Sequence, residues 1–259
     1  MVVRIFCLVC GRFGERVIPA GPRILHEEYR RFHSQHLGLD LEMLVVGDYG
    51  YPLIIFPTSN GRYYEAKDFL LVDSVRWFVE NRLLKLVCID SGDKWSWYAK
   101  HLHPGTRVHN HGLYDRMVSD ELVPRLQQEC QVDKVGVAGC SLGGYQALNF
   151  AFRHPSQVAH MFSMGAAFDI KMFLDGHYDE QAYFHNPPDY MPNAQDENLY
   201  KMNIILGTAE HDFCKPGNYQ MSEILSRKGI PHRLDVRPHG THDWPVWRDM
   251  FPEYVSTIF

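Results

Sequence analysis

A G-x-S-x-G motif at residues 139–143 constrains the fold of this chain more than any other sequence feature. It follows an apolar run at residues 135–138, typical of a buried strand, and precedes a helical pattern at residues 145–152. Its two glycines suit a sharp turn, because a Cβ at either position would crowd the backbone. A serine on such a strand-to-helix turn exposes its hydroxyl. The motif therefore predicts a nucleophile elbow with Ser141 as the nucleophile.

The rest of the chain alternates apolar runs with helical patterns. Such alternation favours an α/β fold, in which a mostly parallel central sheet has helices on both of its faces. Continuous apolar runs are typical of strands that are buried on both sides. Residues 41–46 and 53–56 are strand-like and flank a turn, which predicts an antiparallel N-terminal hairpin leading into the sheet. Helical patterns are predicted at residues 69–82, 114–130 and 217–228.

Length and composition indicate one large domain. The 259 residues are 45% hydrophobic and 22% charged, which is enough for a well-buried core. We predict a single catalytic domain over residues 26–259, after an extension of unknown role at residues 1–25. Within it, residues 165–200 form a long irregular stretch with three prolines, either a lid or a structural insertion.

Charge and hydropathy exclude two classes of partner. The net charge of −5, without any block of lysine and arginine, argues against a nucleic-acid partner. No run of 18 apolar residues exists, so no membrane-spanning helix is expected. The six cysteines include a C-x-x-C pair, Cys7 and Cys10, and four scattered residues, which favours reduced thiols and a cytoplasmic location.

A histidine-rich loop is a candidate metal site. Four histidines lie close together in the sequence, at positions His101, His103, His109 and His111. Their spacing does not match that of zinc ligands, so the sequence predicts neither a metal nor an organic cofactor.

A nucleophilic serine needs a base and an acid that orients it. His242 lies in a glycine-flanked loop before the last helical pattern, so it follows Ser141 in the chain as this class of triad requires. Asp212 and Glu210 follow an apolar strand at residues 203–206, and either carboxylate could accept a hydrogen bond from the histidine. We favour Asp212, with Glu210 as the alternative acid.

Two backbone N–H groups are the predicted oxyanion donors. Leu142 follows the nucleophile at the start of a helix, where N–H groups are free and the helix dipole is positive. The second donor is expected in the loop after an early strand, which here spans residues 57–61. We select the N–H of Ser59, with Asn60 as the next choice.

Four segments carry a resemblance to a known family. They are residues 139–144, the strand end at 207–213, the T-H-D-W-P-V-W-R stretch at 241–248, and the F-P-T-S-N-G stretch at 56–61. Over roughly residues 40–255 the chain resembles the family named "putative esterase", which includes esterase D, feruloyl esterases and mycolyltransferases. The resemblance implies an α/β-hydrolase fold and a serine hydrolase or acyltransferase with its triad at the positions above. The loop that carries the acid is longer here than in the family's usual form, so Glu210 remains an alternative to Asp212 as the triad acid.

Three functions follow from these residues. The first is a serine hydrolase that cleaves a small-molecule carboxylic ester through an acyl-enzyme with a Ser-His-Asp triad. The second is an acyltransferase, in which an alcohol replaces water in the second step. The third is a non-catalytic binding protein on a hydrolase fold, against which the complete set of serine, acid and histidine argues.

Overall fold

The computed structural model describes residues 25–259 and, before them, the backbone of two strands. Those two strands, β1 and β2, pair antiparallel as a separate small sheet. Eight further strands, β3 to β10, form the central sheet. The ten strands are β1 Val2–Phe6, β2 Phe13–Val17, β3 Glu27–Ser34, β4 Leu39–Val46, β5 Tyr51–Phe56, β6 Leu84–Ile89, β7 Val135–Cys140, β8 Val158–Met164, β9 Asn203–His211 and β10 Arg233–Thr241.

The central sheet has the order β10-β9-β8-β7-β5-β6-β4-β3. Pairs from β10 to β6 are parallel, whereas β3 and β4 form an antiparallel hairpin at one edge. This confirms the predicted mostly parallel sheet with an antiparallel N-terminal hairpin. The predicted pairing of residues 41–46 with 53–56 is wrong, however, because β6 lies between β4 and β5 and pairs with both.

Helices cover both faces of the sheet. Side chains alternate along each strand, so neighbouring residues enter different cores. Leu41, Ile54 and Val137 pack on one face with α4, α5, α6 and α9, while Leu44 and Leu53 pack on the other with α1, α2, α3 and α10. The helices are α1 Glu65–Asp68, α2 Leu71–Ser74, α3 Arg76–Glu80, α4 Pro104–Arg116, α5 Val123–Cys130, α6 Leu142–Arg153, α7 Glu180–Phe184, α8 Pro187–Tyr190, α9 Lys215–Arg227 and α10 Trp244–Ser256.

The helix predicted over residues 69–82 is two short helices, α2 and α3, which follow α1. Leu70 has a φ of 61°, a left-handed conformation that cannot continue a right-handed helix. Val75, with a φ of −111°, separates α2 from α3. The apolar residues still reach the core, since Val72 and Val79 are both buried.

The helix predicted from residue 114 begins ten residues earlier. Pro104 occupies the first turn of α4, where its missing N–H costs nothing, and the His103 side chain accepts a hydrogen bond from the Gly105 N–H. A π-helical turn, Met117–Leu122, joins α4 to α5. It ends two residues before Pro124, and the wider turn accommodates a residue that cannot donate to the helix.

The stretch at residues 165–200 contains short helices rather than an irregular loop. It includes α7, α8 and three 3₁₀ turns, Lys171–Phe173, Met191–Asn193 and Glu197–Lys201. Ile170 and Phe173 are buried against Leu142 and Tyr145 at the beginning of α6.

Two further predictions concern the N-terminal cysteine pair and membrane-spanning helices. Cys7 and Cys10 lie outside the described residues. Among the described residues, no helix has the length and apolar character needed to cross a membrane.

Candidate active site

Ser141 lies on the turn between β7 and α6, at the carboxyl end of the sheet. Its φ of 55° and ψ of −122° are a strained combination for a residue with a side chain. A Cβ on Gly139 would lie 2.2 Å from the Gly143 carbonyl oxygen, and a Cβ on Gly143 would lie 2.3 Å from the Phe56 carbonyl oxygen. Only glycine therefore fits at these two positions, and the close approach packs the serine turn against the end of β5.

His242 lies in the loop between β10 and α10. Its Nε2 is 3.0 Å from Ser141 Oγ, and its side chain is 12% exposed. The loop is fixed by Asp243, whose carboxylate accepts a hydrogen bond from the Trp244 N–H at the start of α10. The imidazole also contacts the ring of Trp247 edge-on, with 5.1 Å between centroids. These contacts direct the free nitrogen toward the serine.

Asp212 follows β9 and holds the other side of the imidazole. Its Oδ1 is 2.8 Å from His242 Nδ1, and its side chain is 1% exposed. The same carboxylate accepts hydrogen bonds from the Cys214 N–H at 2.7 Å and the Thr208 hydroxyl at 3.3 Å. A carboxylate at Nδ1 favours a proton there, so Nε2 of the neutral ring accepts from the serine hydroxyl.

Glu210, the alternative acid, points away from the histidine. It is exposed near the end of β9, and its carboxylate accepts a hydrogen bond from the His239 backbone N–H at 2.8 Å. That hydrogen bond is the main cause that lowers the pKa of Glu210. The structure brings Asp212, rather than Glu210, to His242.

The two expected oxyanion donors lie on neighbouring elements. Leu142 begins α6 directly after Ser141, and Ser59 lies in the loop after β5. Phe56 and Gly139 are register partners in the parallel pair of β5 and β7, so both loops leave the sheet side by side. In the described part of the chain, the N–H groups of Leu142 and Ser59 donate to no protein acceptor.

Gly165 is a site residue that the sequence analysis missed. It follows β8 with a φ of +62°, and a Cβ there would lie 2.8 Å from Asp212 Oδ2 and 3.1 Å from His242 Nδ1. The acid and the base therefore pack onto bare backbone. A glycine directly after a buried strand was the available signal, but it did not indicate which side chains would meet there.

Possible metal ligands lie close together at two places within residues 25–259. Two groups have ligand atoms within 4.8 Å of one another: Glu210 with His211 and His239, and Asp212 with Cys214 and His242. The first group is exposed, and in the second Asp212 and His242 are hydrogen-bonded to each other. The four histidines between residues 101 and 111 form no such group. His111 is buried within α4, and His103 caps that helix.

A protein-family model described as "Putative esterase" matches residues 79–258. This match covers more than half of the chain and includes Ser141, Asp212 and His242. The loop after β5, with the expected oxyanion donor Ser59, and the N-terminal strands lie before the matched region. A search of curated protein sequences finds no match.

Solved structures with the same fold include hydrolases. A ferulic acid esterase is 16% identical, with a TM-score of 0.73 over 90% of this chain and 97% of its own. An S-formylglutathione hydrolase from Staphylococcus aureus is 16% identical, with a TM-score of 0.70 over 90% of this chain and 99% of its own. A fluorophosphonate-binding serine hydrolase from the same organism is 17% identical, with a TM-score of 0.70 over 90% of this chain and 98% of its own. This likeness confirms the α/β-hydrolase fold.

Proposed function

The chain belongs to the esterase family, and from this membership we propose that it cleaves small-molecule carboxylic esters through an acyl-enzyme on Ser141. One observation carries the proposal. His242 is within hydrogen-bond distance of Ser141 Oγ on one side, at 3.0 Å, and of Asp212 on the other, at 2.8 Å. Nucleophile, base and orienting acid in one line are the requirement for activating a serine hydroxyl.

In the first half of the reaction, Ser141 Oγ attacks the ester carbonyl carbon while its proton moves to His242 Nε2. The carbonyl oxygen becomes an oxyanion, which the N–H groups of Leu142 and Ser59 stabilise; one such donor contributes about 3 kcal/mol. The carbon–oxygen bond to the leaving alcohol then breaks, and the alcohol takes the proton from Nε2. Asp212 stabilises the imidazolium that forms between these steps.

In the second half, water attacks the acyl-enzyme. His242 Nε2 takes a proton from the water as the new carbon–oxygen bond forms. The bond to Ser141 Oγ breaks, the serine recovers its proton from Nε2, and the carboxylic acid leaves. An acceptor alcohol in place of water would make the same acyl-enzyme an acyltransferase, so product analysis with an added alcohol distinguishes the two reactions.

The remaining features fit a single catalytic unit. We propose that residues 26–259 act as one domain, because every strand from β3 to β10 belongs to one sheet. Ile170 and Phe173 are buried against Leu142 and Tyr145, which supports a fixed wall beside the serine rather than a lid over it. A cytoplasmic location stays a prediction.

The test compares wild type with Ser141→Ala and Ser156→Ala. Hydrolysis of p-nitrophenyl esters from acetyl to palmitoyl is measured, together with labelling by a fluorophosphonate. We expect Ser141→Ala to lose labelling and to lower kcat by at least about 10³-fold. Ser156 is exposed on the loop after α6, so Ser156→Ala controls for the loss of a serine hydroxyl elsewhere.

The outcomes separate the three hypotheses. Activity that survives Ser141→Ala in folded protein would exclude Ser141 as the nucleophile. Labelling of wild type without ester hydrolysis, but with transfer to an added alcohol, would favour the acyltransferase. A folded wild-type protein that neither reacts with the probe nor turns over would favour the binding protein.

A further inference from the structure

Glu65 holds the loop that carries Ser59 at the residue before that serine. Glu65 Oε2 accepts a hydrogen bond from the Thr58 N–H at 2.8 Å, and Oε1 accepts one from the Thr58 hydroxyl at 2.7 Å. Glu65 begins α1 and is only partly exposed. Both of its carboxyl oxygens are therefore used to fix the residue directly before Ser59.

Asp93 holds the same loop at the residue after Ser59. Asp93 Oδ2 accepts a hydrogen bond from the Asn60 N–H at 2.8 Å. Asn60 has a φ of 56°, a left-handed conformation that asparagine tolerates better than most residues and that turns the chain at this point. Asp93 thereby fixes the residue directly after Ser59.

Asp93 also contacts the helix that follows the nucleophile. Its Oδ1 accepts a hydrogen bond from Gln146 Nε2 at 3.3 Å. Gln146 lies one helical turn after Leu142 in α6. One buried carboxyl group, 1% exposed, thus joins the loop of one oxyanion donor to the helix of the other.

The result is that one N–H in the loop is left for a ligand. The N–H groups of Thr58 and Asn60 are occupied by Glu65 and Asp93, and the Gly61 N–H donates to the Thr58 carbonyl. Within the described residues, the N–H of Ser59 has no acceptor. A backbone donor that is held rigid but has no partner is suited to a charge that develops during reaction.

We propose that Glu65 and Asp93 form a carboxyl clamp, which positions the Ser59 N–H relative to the Leu142 N–H as the second oxyanion donor. The proposal rests on the function proposed above. Both residues are positioning residues, because they act on the reaction through the loop. The clamp explains why two acids lie beneath a site that must stabilise a negative charge: their oxygens are occupied by N–H and O–H donors.

The cost of burying Asp93 supports a specific role. Among the described residues it has no ion-pair partner, and burial raises its pKa to about 7. Burial is also the largest cause that raises the pKa of Glu65. A buried carboxyl group without a cation is unfavourable for folding unless hydrogen bonds compensate. Here the compensating donors are the Asn60 N–H, the Ser91 hydroxyl and the Gln146 side-chain amide.

The first experiment removes the acceptor at Asp93. Asp93→Leu has a similar shape and accepts no hydrogen bond, whereas Asp93→Asn keeps one carbonyl oxygen for the Asn60 N–H. For the p-nitrophenyl ester that wild type cleaves fastest, we expect Asp93→Leu to lower kcat about 100-fold, with KM within about threefold. Asp93→Asn should retain kcat within about fivefold of wild type.

A second readout reports on the oxyanion site itself. Phenylboronic acid forms a tetrahedral adduct with a reactive serine and places an oxygen where the oxyanion forms. Its inhibition constant should rise in Asp93→Leu by about the factor by which kcat falls. Asp115→Asn is the matched control: it removes a buried carboxyl group that pairs with His154. It should lower the melting temperature while leaving kcat and the inhibition constant unchanged.

The outcomes distinguish the clamp from the proposed function. Wild-type kcat and boronate inhibition in folded Asp93→Leu, in an enzyme that Ser141→Ala inactivates, would overturn the clamp alone. An equal loss of kcat in Asp93→Asn and Asp93→Leu would also overturn the clamp, because the oxygen that accepts from the Asn60 N–H would then not be the cause of the loss. Activity that survives Ser141→Ala would overturn the function and the clamp together.

Thr58→Val provides the decisive variant if Asp93→Leu does not fold. It removes the hydroxyl that donates to Glu65 with little change in shape. We expect kcat about fivefold lower, with a matching rise in the boronate inhibition constant. Unchanged values for both would overturn the clamp.

Discussion

The ring of Phe213 lies on the imidazole of His242, with 4.1 Å between centroids and 39° between planes, although 75% of Phe213 is exposed. Phe213 directly follows Asp212, so the residue after the acid covers the base. Trp247 contacts the same imidazole edge-on, and the two aromatic rings hold it in its orientation. A large apolar ring left in water beside the nucleophile is a surface on which the apolar part of a substrate can bind.

We therefore expect Phe213→Ala to lower kcat/KM for p-nitrophenyl esters by about three- to tenfold, mostly through a higher KM. Phe213→Leu keeps an apolar side chain, so its kcat/KM should fall less than that of Phe213→Ala. Steady-state kinetics on both variants, with p-nitrophenyl acetate and butyrate, checks this. An unchanged KM for both esters in Phe213→Ala would show that the ring does not contact substrate.

The choice between Asp212 and Glu210 as the acid can be tested directly. An amide in place of Asp212 offers its NH₂ group to His242 Nδ1 and favours the wrong tautomer, so Asp212→Asn should lower kcat by about 10³- to 10⁴-fold. Glu210 is exposed and bonds the His239 N–H, so Glu210→Gln should change kcat by less than about twofold. Similar losses in the two variants would place the orienting acid elsewhere.

Gly165 supports the acid and the base without a side chain. Gly165→Ala should misplace them, because the new Cβ would lie 2.8 Å from Asp212 Oδ2, and a shift near 1 Å can cost about 100-fold in kcat. Gly38→Ala is the control: Gly38 has a φ of +63°, close to the +62° of Gly165, and open space around it. Both variants should lose about 1 kcal/mol of stability from backbone strain. Equal kcat values in the two would contradict the packing argument.

Local patterns carried the parts of the site that could be predicted from sequence. The turn at Ser141 needs a strand, two glycines and a helix, and all of them are visible within residues 135–152 of the sequence. His242 and Asp212 lie 101 and 71 residues from Ser141, and chain order alone selected them. Chain order could not separate Asp212 from Glu210, because the two acids are only two residues apart. Their positions at the end of β9 decide which carboxylate contacts the histidine.

Long-range contacts explain what the sequence did not predict. The pairing of β4 with β5 was expected because they are consecutive, but β6, almost 30 residues later, inserts between them. Gly165 has its role only because Asp212 and His242, 47 and 77 residues later, pack against it. The clamp likewise joins Asp93 to Asn60 across 33 residues. No local pattern contains such information.

Asp93 should also make stability depend on pH. Burial raises its pKa from near 4 to about 7, so between these values the folded protein binds more protons than the unfolded chain. The free energy of unfolding therefore decreases as pH rises through this window, by the contribution of this group. Asp93→Asn removes that titration.

Urea unfolding of wild type and Asp93→Asn at pH 5 and pH 8 checks this sign. The stability of Asp93→Asn relative to wild type should be higher at pH 8 than at pH 5, because only wild type must then hold a buried charge. Asp115 provides the contrast: burial opposes ionisation there, but His154 and Arg153 hold its pKa well below the ordinary value. Asp115→Asn should thus be destabilised at both pH values, since Asp115 is ionised at each. An unchanged relative stability of Asp93→Asn between pH 5 and pH 8 would mean that Asp93 is already charged at pH 5, and that its hydrogen bonds outweigh its burial.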